Sequence, residues 1–137
     1  MTVKHQFNII GSVLASTCDA WRGAAAGRPH FQQPAERPVL YDIEASPYCR
    51  MVREAATALH LDLDIRPCPK GGKRFRPEAE RIGGKQQFPL LVDPNTGSVL
   101  YESGDIIEYL FQTYAKRSAP RLYQATPLHK AGSFMAT

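Results

Sequence analysis

The sequence predicts an α/β domain built on a mixed four-stranded sheet. Two observations lead to this prediction. Short segments of alternating apolar and polar residues are separated by a helical segment with an apolar stripe, an order typical of a parallel crossover unit. Two further alternating segments are joined by a tight turn, as in an antiparallel hairpin. The chain has 137 residues, of which 43% are hydrophobic and 22% are charged, and this length suits one domain with one core.

The first half of the domain is predicted to be a strand, a helix and a second strand. Residues 39–45 alternate between apolar and polar side chains and predict the first strand. Ser46 can cap a helix and Pro47 suits its first position, and an apolar stripe at helical spacing continues to His60. Residues 61–66 alternate again, so a second short strand is expected there.

The second half is predicted to contain a short helix, a hairpin and a last helix. A helix begins near Pro77 and ends at the glycines that follow residue 82. Residues 88–92 and 99–101 flank the turn sequence Asp-Pro-Asn-Thr-Gly and predict the hairpin. The last helix starts after Ser103. The complete order β-α-β-α-β-β-α is that of the thioredoxin-like architecture.

The ends of the chain differ from the middle in composition. Residues 1–37 read as an N-terminal amphipathic helix, centred on residues 7–21, followed by a linker rich in proline and glycine. The folded domain is expected over residues 38–117. Residues 118–137 are expected to form a flexible tail.

Composition excludes several classes of function. No apolar run reaches 18 residues, so no membrane span is expected. Residues 39–115 hold nine basic and eleven acidic side chains, so the net charge of +4 comes from the chain ends and does not indicate nucleic-acid binding. Three cysteines cannot form a closed disulfide framework, which favours a reducing, cytoplasmic setting. No Cys or His residues stand at metal-ligand spacing, so no metal is expected.

Three motifs carry a resemblance to a known family: SPYCRMVRE at residues 46–54, GGKQQFP at residues 83–89, and VDPNTG followed by YES within residues 92–103. Together they resemble the N-terminal domain of glutathione S-transferases and the related glutaredoxin-like proteins, including a branch that often carries two such domains in tandem. The similarity covers residues 40–115. It implies a thioredoxin-like fold and glutathione as the ligand.

The resemblance places Ser46 where glutaredoxins carry their nucleophilic cysteine, at the start of a helix. A serine without a nearby base is a poor nucleophile. The resemblance instead implies that Ser46 donates a hydrogen bond to the sulfur of glutathione and favours its thiolate; the alternative is a simple helix cap. Cys49 matches the second motif cysteine and is a catalytic candidate, or alternatively a small buried residue. Tyr48, between them, is a candidate ligand contact.

The second motif implies a cis peptide bond before Pro89, opposite the start of the first helix. Phe88 would then offer its backbone N–H and C=O groups to the cysteinyl unit of glutathione, as one strand pairs with another. Gln87 is placed near the glycyl end of the ligand. The residues alone indicate only that Pro89 begins a strand, where its missing donor does no harm.

The third motif implies a site for the γ-glutamyl end of glutathione. The hydroxyl of Ser103 and the helix that follows suit its α-carboxylate, and Glu102 can accept a hydrogen bond from its ammonium group. The alternative is that Ser103 only caps that helix. Asp105, in the first turn, would repel the carboxylate.

The resemblance therefore implies a glutathione-binding protein that acts on glutathione thiolate or on glutathione mixed disulfides. It leaves open whether the chain is an enzyme, of transferase-like or glutaredoxin-like thiol oxidoreductase type. Glutathione transferases add an all-helical domain that walls the second substrate site, and the 22 residues after Ala115 cannot build one. The alternatives are a non-catalytic module that binds a protein partner or forms a homodimer, and one half of a tandem protein.

Overall fold

The computed structural model describes residues 33–124 and 134–135. Its main sheet has four strands, which are β1 (Val39–Asp42), β2 (Asp64–Pro67), β4 (Leu90–Asp93) and β5 (Ser98–Leu100). A separate two-stranded ladder pairs β3 (Gln87–Phe88) with β6 (Phe134–Met135). The strand order in the main sheet is β2-β1-β4-β5. Strands β1 and β2 run parallel, and the pairs β1–β4 and β4–β5 are antiparallel, so the predicted mixed four-stranded sheet is confirmed.

Helices cover both faces of the main sheet. They are α1 (Pro47–Leu59), α2 (Arg76–Gly83), α3 (Ser103–Leu110), which continues as a π-helical turn over Phe111–Ala115, and α4 (Arg121–Gln124). Successive residues of a strand point to opposite faces, and the core divides accordingly. Leu40 and Leu91 lie in the cluster with α1 and α3, whereas Tyr41 and Leu90 lie in the cluster with Ala79 of α2.

The second strand begins later than the alternation over residues 61–66 predicts. Leu61 is buried and its N–H donates to Ala56 at 2.9 Å, which closes the end of α1. His60 adopts the left-handed conformation, with φ 56°, that such a helix end requires. The strand therefore starts at Asp64. Ile65, an apolar residue of this alternating segment, is 40% exposed on this edge strand.

The strand predicted over residues 88–92 is divided at Pro89. The peptide bond between Phe88 and Pro89 is cis, as the resemblance implied. Gln87 and Phe88 form β3, which pairs with β6 instead of joining the main sheet. In this antiparallel ladder Gln87 lies opposite Met135 and Phe88 lies opposite Phe134. No sequence pattern predicted β6.

Parts of the predicted linker and tail are bound to the domain. Gln33 hydrogen-bonds with the backbone of His60 and Asp62. Within the tail predicted from residue 118, Arg121–Gln124 form α4, where Tyr123 is only 3% exposed and its ring lies 5.8 Å from that of Phe111. The amphipathic helix predicted at residues 7–21 lies outside the described residues. In the described part of the chain no helix has the length and apolarity that a bilayer crossing requires.

A buried carboxylate ties the hairpin to the helical layer. Asp93 is fully buried at the end of β4 and accepts hydrogen bonds from the hydroxyls of Tyr109, at 2.7 Å, and Tyr114. Asn95 donates to the same carboxylate from its backbone and its side chain, each at 2.9 Å. Burial alone would raise the pKa of Asp93, but these hydrogen bonds outweigh it and hold the pKa below 3.8. Asp93 is therefore ionised and stabilising at neutral pH.

We predict that Asp93→Asn lowers the free energy of unfolding at pH 7 by about 2 kcal/mol, because the hydrogen bonds to a buried charge are weakened. A carboxyl group whose pKa is lower in the native state than in the unfolded state stabilises the fold above the unfolded-state pKa. This stabilisation is lost as the pH falls through the native-state pKa. The difference between variant and parent should therefore shrink below about pH 4. Urea unfolding at pH 7 and pH 3 measures it, with the exposed Asp62→Asn as the control. A difference that does not shrink at all between pH 7 and pH 3 would contradict this assignment.

Candidate functional site

Ser46 lies at the N-terminus of α1 and is 0% exposed. Its Oγ accepts a hydrogen bond from the backbone N–H of Cys49 at 3.3 Å, which confirms the cap interpretation. A hydroxyl that accepts in this way still has its own proton to donate. Tyr48 lies half-buried in the same first turn of α1. The structure therefore leaves Ser46 chemically able to donate to a second atom.

The two cysteine thiols in the described part of the chain are buried and poorly suited to nucleophilic attack. Cys49 is fully buried, and burial raises its thiol pKa although the hydrogen bond with Ser46 works in the opposite direction. Cys68 is also buried, and burial raises its pKa to about 11. A reactive cysteine needs an exposed thiol with a lowered pKa. The structure thus fits the interpretation of Cys49 as a small buried residue and does not fit its expected catalytic role.

The second and third motifs meet through their side chains. The amide Nε2 of Gln87 donates to Oε1 of Glu102 at 3.1 Å. The resemblance placed Gln87 near the glycyl end of glutathione and Glu102 at the opposite, γ-glutamyl end. The hydrogen bond thus joins two residues that the resemblance assigned to different ends of the ligand. The adjoining backbone of Phe88, expected to be free, is paired with Phe134 of β6.

Glu102 has an unusual backbone conformation. Its φ of 66° and ψ of 113° lie outside the regions that residues with a side chain normally occupy. Such a conformation costs on the order of 1–3 kcal/mol and is concentrated at functional sites. Glu102 is also the N-cap residue of α3, and its side chain makes no capping hydrogen bond there. The backbone N–H groups at the start of α3 therefore receive no capping hydrogen bond from the side chain of the N-cap residue.

Ser103 does not cap a helix, contrary to the capping alternative. Glu102 holds the N-cap position, so Ser103 is the first residue inside α3. Ser103 is 0% exposed, and its Oγ has no hydrogen-bond partner among the described residues. Asp105, in the same turn, is exposed. A buried hydroxyl without a partner is unfavourable, and a ligand carboxylate is the kind of group that would satisfy it.

Sequence reasoning missed a buried arginine beside the site. Residues 70–76 are rich in basic residues and glycine, a composition typical of a solvated loop, but Arg76 is only 6% exposed. Its Nε donates to the carbonyl oxygens of Cys68, at 3.1 Å, and Pro69, at 2.6 Å. The guanidinium also lies 5.3 Å from the centre of the Phe88 ring. Arg76 stands at the start of α2, directly before Pro77. This position in the sequence does not by itself indicate that the side chain is buried.

The described residues show no metal site, and their open cavity lies away from the candidate site residues. Across residues 33–124 and 134–135 no group of His, Cys, Asp and Glu side chains is arranged to hold a metal. An open cavity of about 600 Å³ lies where the end of α1 meets β2, and its lining includes Arg53, His60 and Ile65. None of the candidate site residues lines this cavity. The candidate site is therefore defined by the two helix starts and β3.

The sequence model of the glutathione S-transferase N-terminal domain matches residues 40–118. The chain belongs to this family. Glutathione S-transferase D7 from Drosophila melanogaster is 34% identical over 93 residues, which cover 67% of this chain and 40% of that protein. The chain thus spans about two fifths of the length of that relative.

Solved structures of glutathione transferases have the same fold. Glutathione S-transferase 1-6 from Anopheles dirus species B is 29% identical, with a TM-score of 0.51 over 58% of this chain and 37% of that one. A glutathione transferase from Bombyx mori is 28% identical, with a TM-score of 0.52 over 70% of this chain and 43% of that one. The thioredoxin-like fold of the glutathione S-transferase N-terminal domain is therefore confirmed.

We predict that alanine has opposite effects at the two helix starts. Ser46→Ala should lower the free energy of unfolding by about 1 kcal/mol, because it removes a helix cap. Ser103→Ala should raise it by about 1 kcal/mol, because it removes a buried hydroxyl without a partner. Urea unfolding of the ligand-free variants measures both, with Ser118→Ala as an exposed control. Equal losses at both positions would show that Ser103 Oγ has a partner after all.

Proposed function

We propose that this chain is a glutathione-binding domain in which the thiolate of the bound ligand is the nucleophile. The membership in the glutathione S-transferase family supports the choice of ligand. The observation that carries the proposal is the buried, unpartnered hydroxyl of Ser103 at a helix start without a side-chain cap. This arrangement is complementary to a carboxylate, since both the hydroxyl and the helix N-terminus favour negative charge.

The γ-glutamyl end of glutathione is assigned to α3 and its N-cap residue. Its α-carboxylate would accept from Ser103 Oγ and from the first backbone N–H groups of α3. Its ammonium group would donate to Glu102, whose carboxylate is oriented by Gln87 at 3.1 Å. Asp105 adds a negative charge to the same turn and is expected to weaken the interaction.

The cysteinyl unit is assigned to β3 and the start of α1. The backbone of Phe88 would pair with it as an added strand. Pairing along β3 would direct the sulfur towards Ser46, which the resemblance places opposite the cis bond before Pro89. The hydroxyl of Ser46 would donate its remaining proton to the sulfur and lower the pKa of the thiol. Tyr48, in the same helical turn, is a further contact in this proposal.

The proposed chemistry uses the ligand thiolate and not a protein thiol. Cys49 and Cys68 are buried, and burial raises both thiol pKa values. The glutaredoxin-like route through a protein cysteine is therefore the weaker alternative for reactions of glutathione mixed disulfides. A protein partner or homodimer and a cytoplasmic location remain predictions from the sequence.

We predict that the chain binds glutathione at millimolar ligand in isothermal titration calorimetry. Ser103→Ala should weaken binding about five- to tenfold, because one hydrogen bond to a charged group is lost. Asp105→Asn should strengthen it about two- to threefold, because a repulsive charge is removed. The matched control is Ser118→Ala, which should leave the affinity unchanged. Absence of binding by the parent chain would reject the proposed function.

We predict that the thiol of bound glutathione has a lowered pKa and that Ser46→Ala restores it towards the free value. Ultraviolet absorption of the thiolate across a pH titration measures this pKa. Ser46→Thr retains both the cap and the hydroxyl proton and should keep the lowered value. If the bound thiol pKa is the same in the parent and in Ser46→Ala, Ser46 is only a helix cap.

A further inference from the structure

We propose that residues 134–135 compete with glutathione from within the same chain. These two residues pair with β3 when no ligand is bound. This inference rests on the proposed function, because it concerns the same backbone edge. The ladder of β3 with β6 places Phe134 opposite Phe88 and Met135 opposite Gln87. It therefore occupies the backbone that the proposed site offers to the cysteinyl unit.

The geometry of β3 explains why a peptide backbone is needed there. β3 does not belong to the main sheet, whose order is β2-β1-β4-β5. Gln87 and Phe88 are both buried, and buried backbone N–H and C=O groups require hydrogen-bond partners. An extended peptide laid beside β3 supplies those partners, whether it belongs to this chain or to a ligand.

The two serines of the proposed site are closed to solvent in this structure. Ser46 and Ser103, which the proposed site requires at its two ends, are each 0% exposed. Gln87 of β3 is also buried. A ligand that contacts these groups must therefore displace something that covers them. The strand paired with β3 is the element that the structure places at this edge.

The pairing of β6 with β3 is short, so it can open reversibly. Because β6 belongs to the same chain, its local concentration at β3 is high. β6 has two residues, fewer than the roughly five or six of a typical strand. The chain is anchored to the core through Tyr123, and nine residues, 125–133, connect α4 to β6. A competitor on the same chain is present at an effective concentration on the order of millimolar. A weak pairing can therefore compete with a ligand that binds in the same range.

The competition depends on the backbone of residues 134–135. Antiparallel pairing uses N–H and C=O groups and is indifferent to many side-chain changes. Proline removes an N–H donor and disfavours strand pairing. The double variant Phe134→Pro/Met135→Pro should therefore release β3. Its matched control, Phe134→Ala/Met135→Ala, removes the same side chains but retains the backbone donors.

Two measurements on the full chain test the proposal. The first is the glutathione dissociation constant by calorimetry. It should fall at least threefold in the proline variant, because the fraction of binding-competent molecules rises, and stay within twofold of the parent in the alanine variant. The second is hydrogen exchange at the amides of Gln87 and Phe88 without ligand. At least one of them should exchange at least tenfold faster in the proline variant than in the parent and the alanine variant.

The outcomes separate this inference from the proposed function. If all three proteins bind glutathione with the same affinity, the internal competitor is rejected and the glutathione site stands. If none binds, the proposed function is rejected, and with it competition with glutathione. Exchange that is equal in parent and proline variant rejects the occupation of β3 directly. Equal effects of proline and alanine would show that side chains, not the backbone, determine the contact, and would overturn the proposal as stated.

Discussion

The pairing of buried backbone groups on β3 is the constraint on which the candidate site depends. Pro89 separates β3 from β4, so the chain contributes β4 to the main sheet and leaves β3 outside it. Backbone N–H and C=O groups at a buried edge need partners. Such an edge suits an extended backbone as its occupant. In the proposed site, recognition of a peptide ligand and pairing with residues 134–135 would be two uses of one surface.

Ser46 and Ser103 show how two similar sequence signals lead to different local structures. Each serine precedes a helical pattern, and a cap was a reasonable interpretation of both. Ser46 is a cap because its Oγ reaches the N–H of Cys49. Ser103 is not, because the unusual backbone of Glu102 moves the N-cap position back by one residue and places Ser103 inside α3. The two serines are distinguished by the φ angle of Glu102. The sequence pattern does not reveal a positive φ at a glutamate.

Much of the fold was predictable because it follows from local periodicity. The limits of α1, the hairpin of β4 and β5 and the mixed sheet all follow from alternation, helical spacing and turn residues. The errors arose where distant contacts decide the outcome. Arg76 is buried by carbonyl groups from the preceding loop, and β6 exists because β3 needs a partner. The motifs identified the candidate site residues, but not that Gln87 turns towards Glu102.

Glu102 and Ser103, at the start of α3, both have local structures that are unfavourable for the free energy of folding. Their presence indicates that this helix start serves binding and not stability. A strained backbone at Glu102 costs on the order of 1–3 kcal/mol, and an unpaired buried hydroxyl at Ser103 costs a similar amount. A helix start designed only for stability would instead carry a capping side chain. Two unfavourable features at consecutive residues are expected where local structure departs from its optimum for function. Since the Ser103 hydroxyl and the backbone N–H groups of this helix start favour a negatively charged group, the carboxylate of the proposed ligand is the simplest source of compensation.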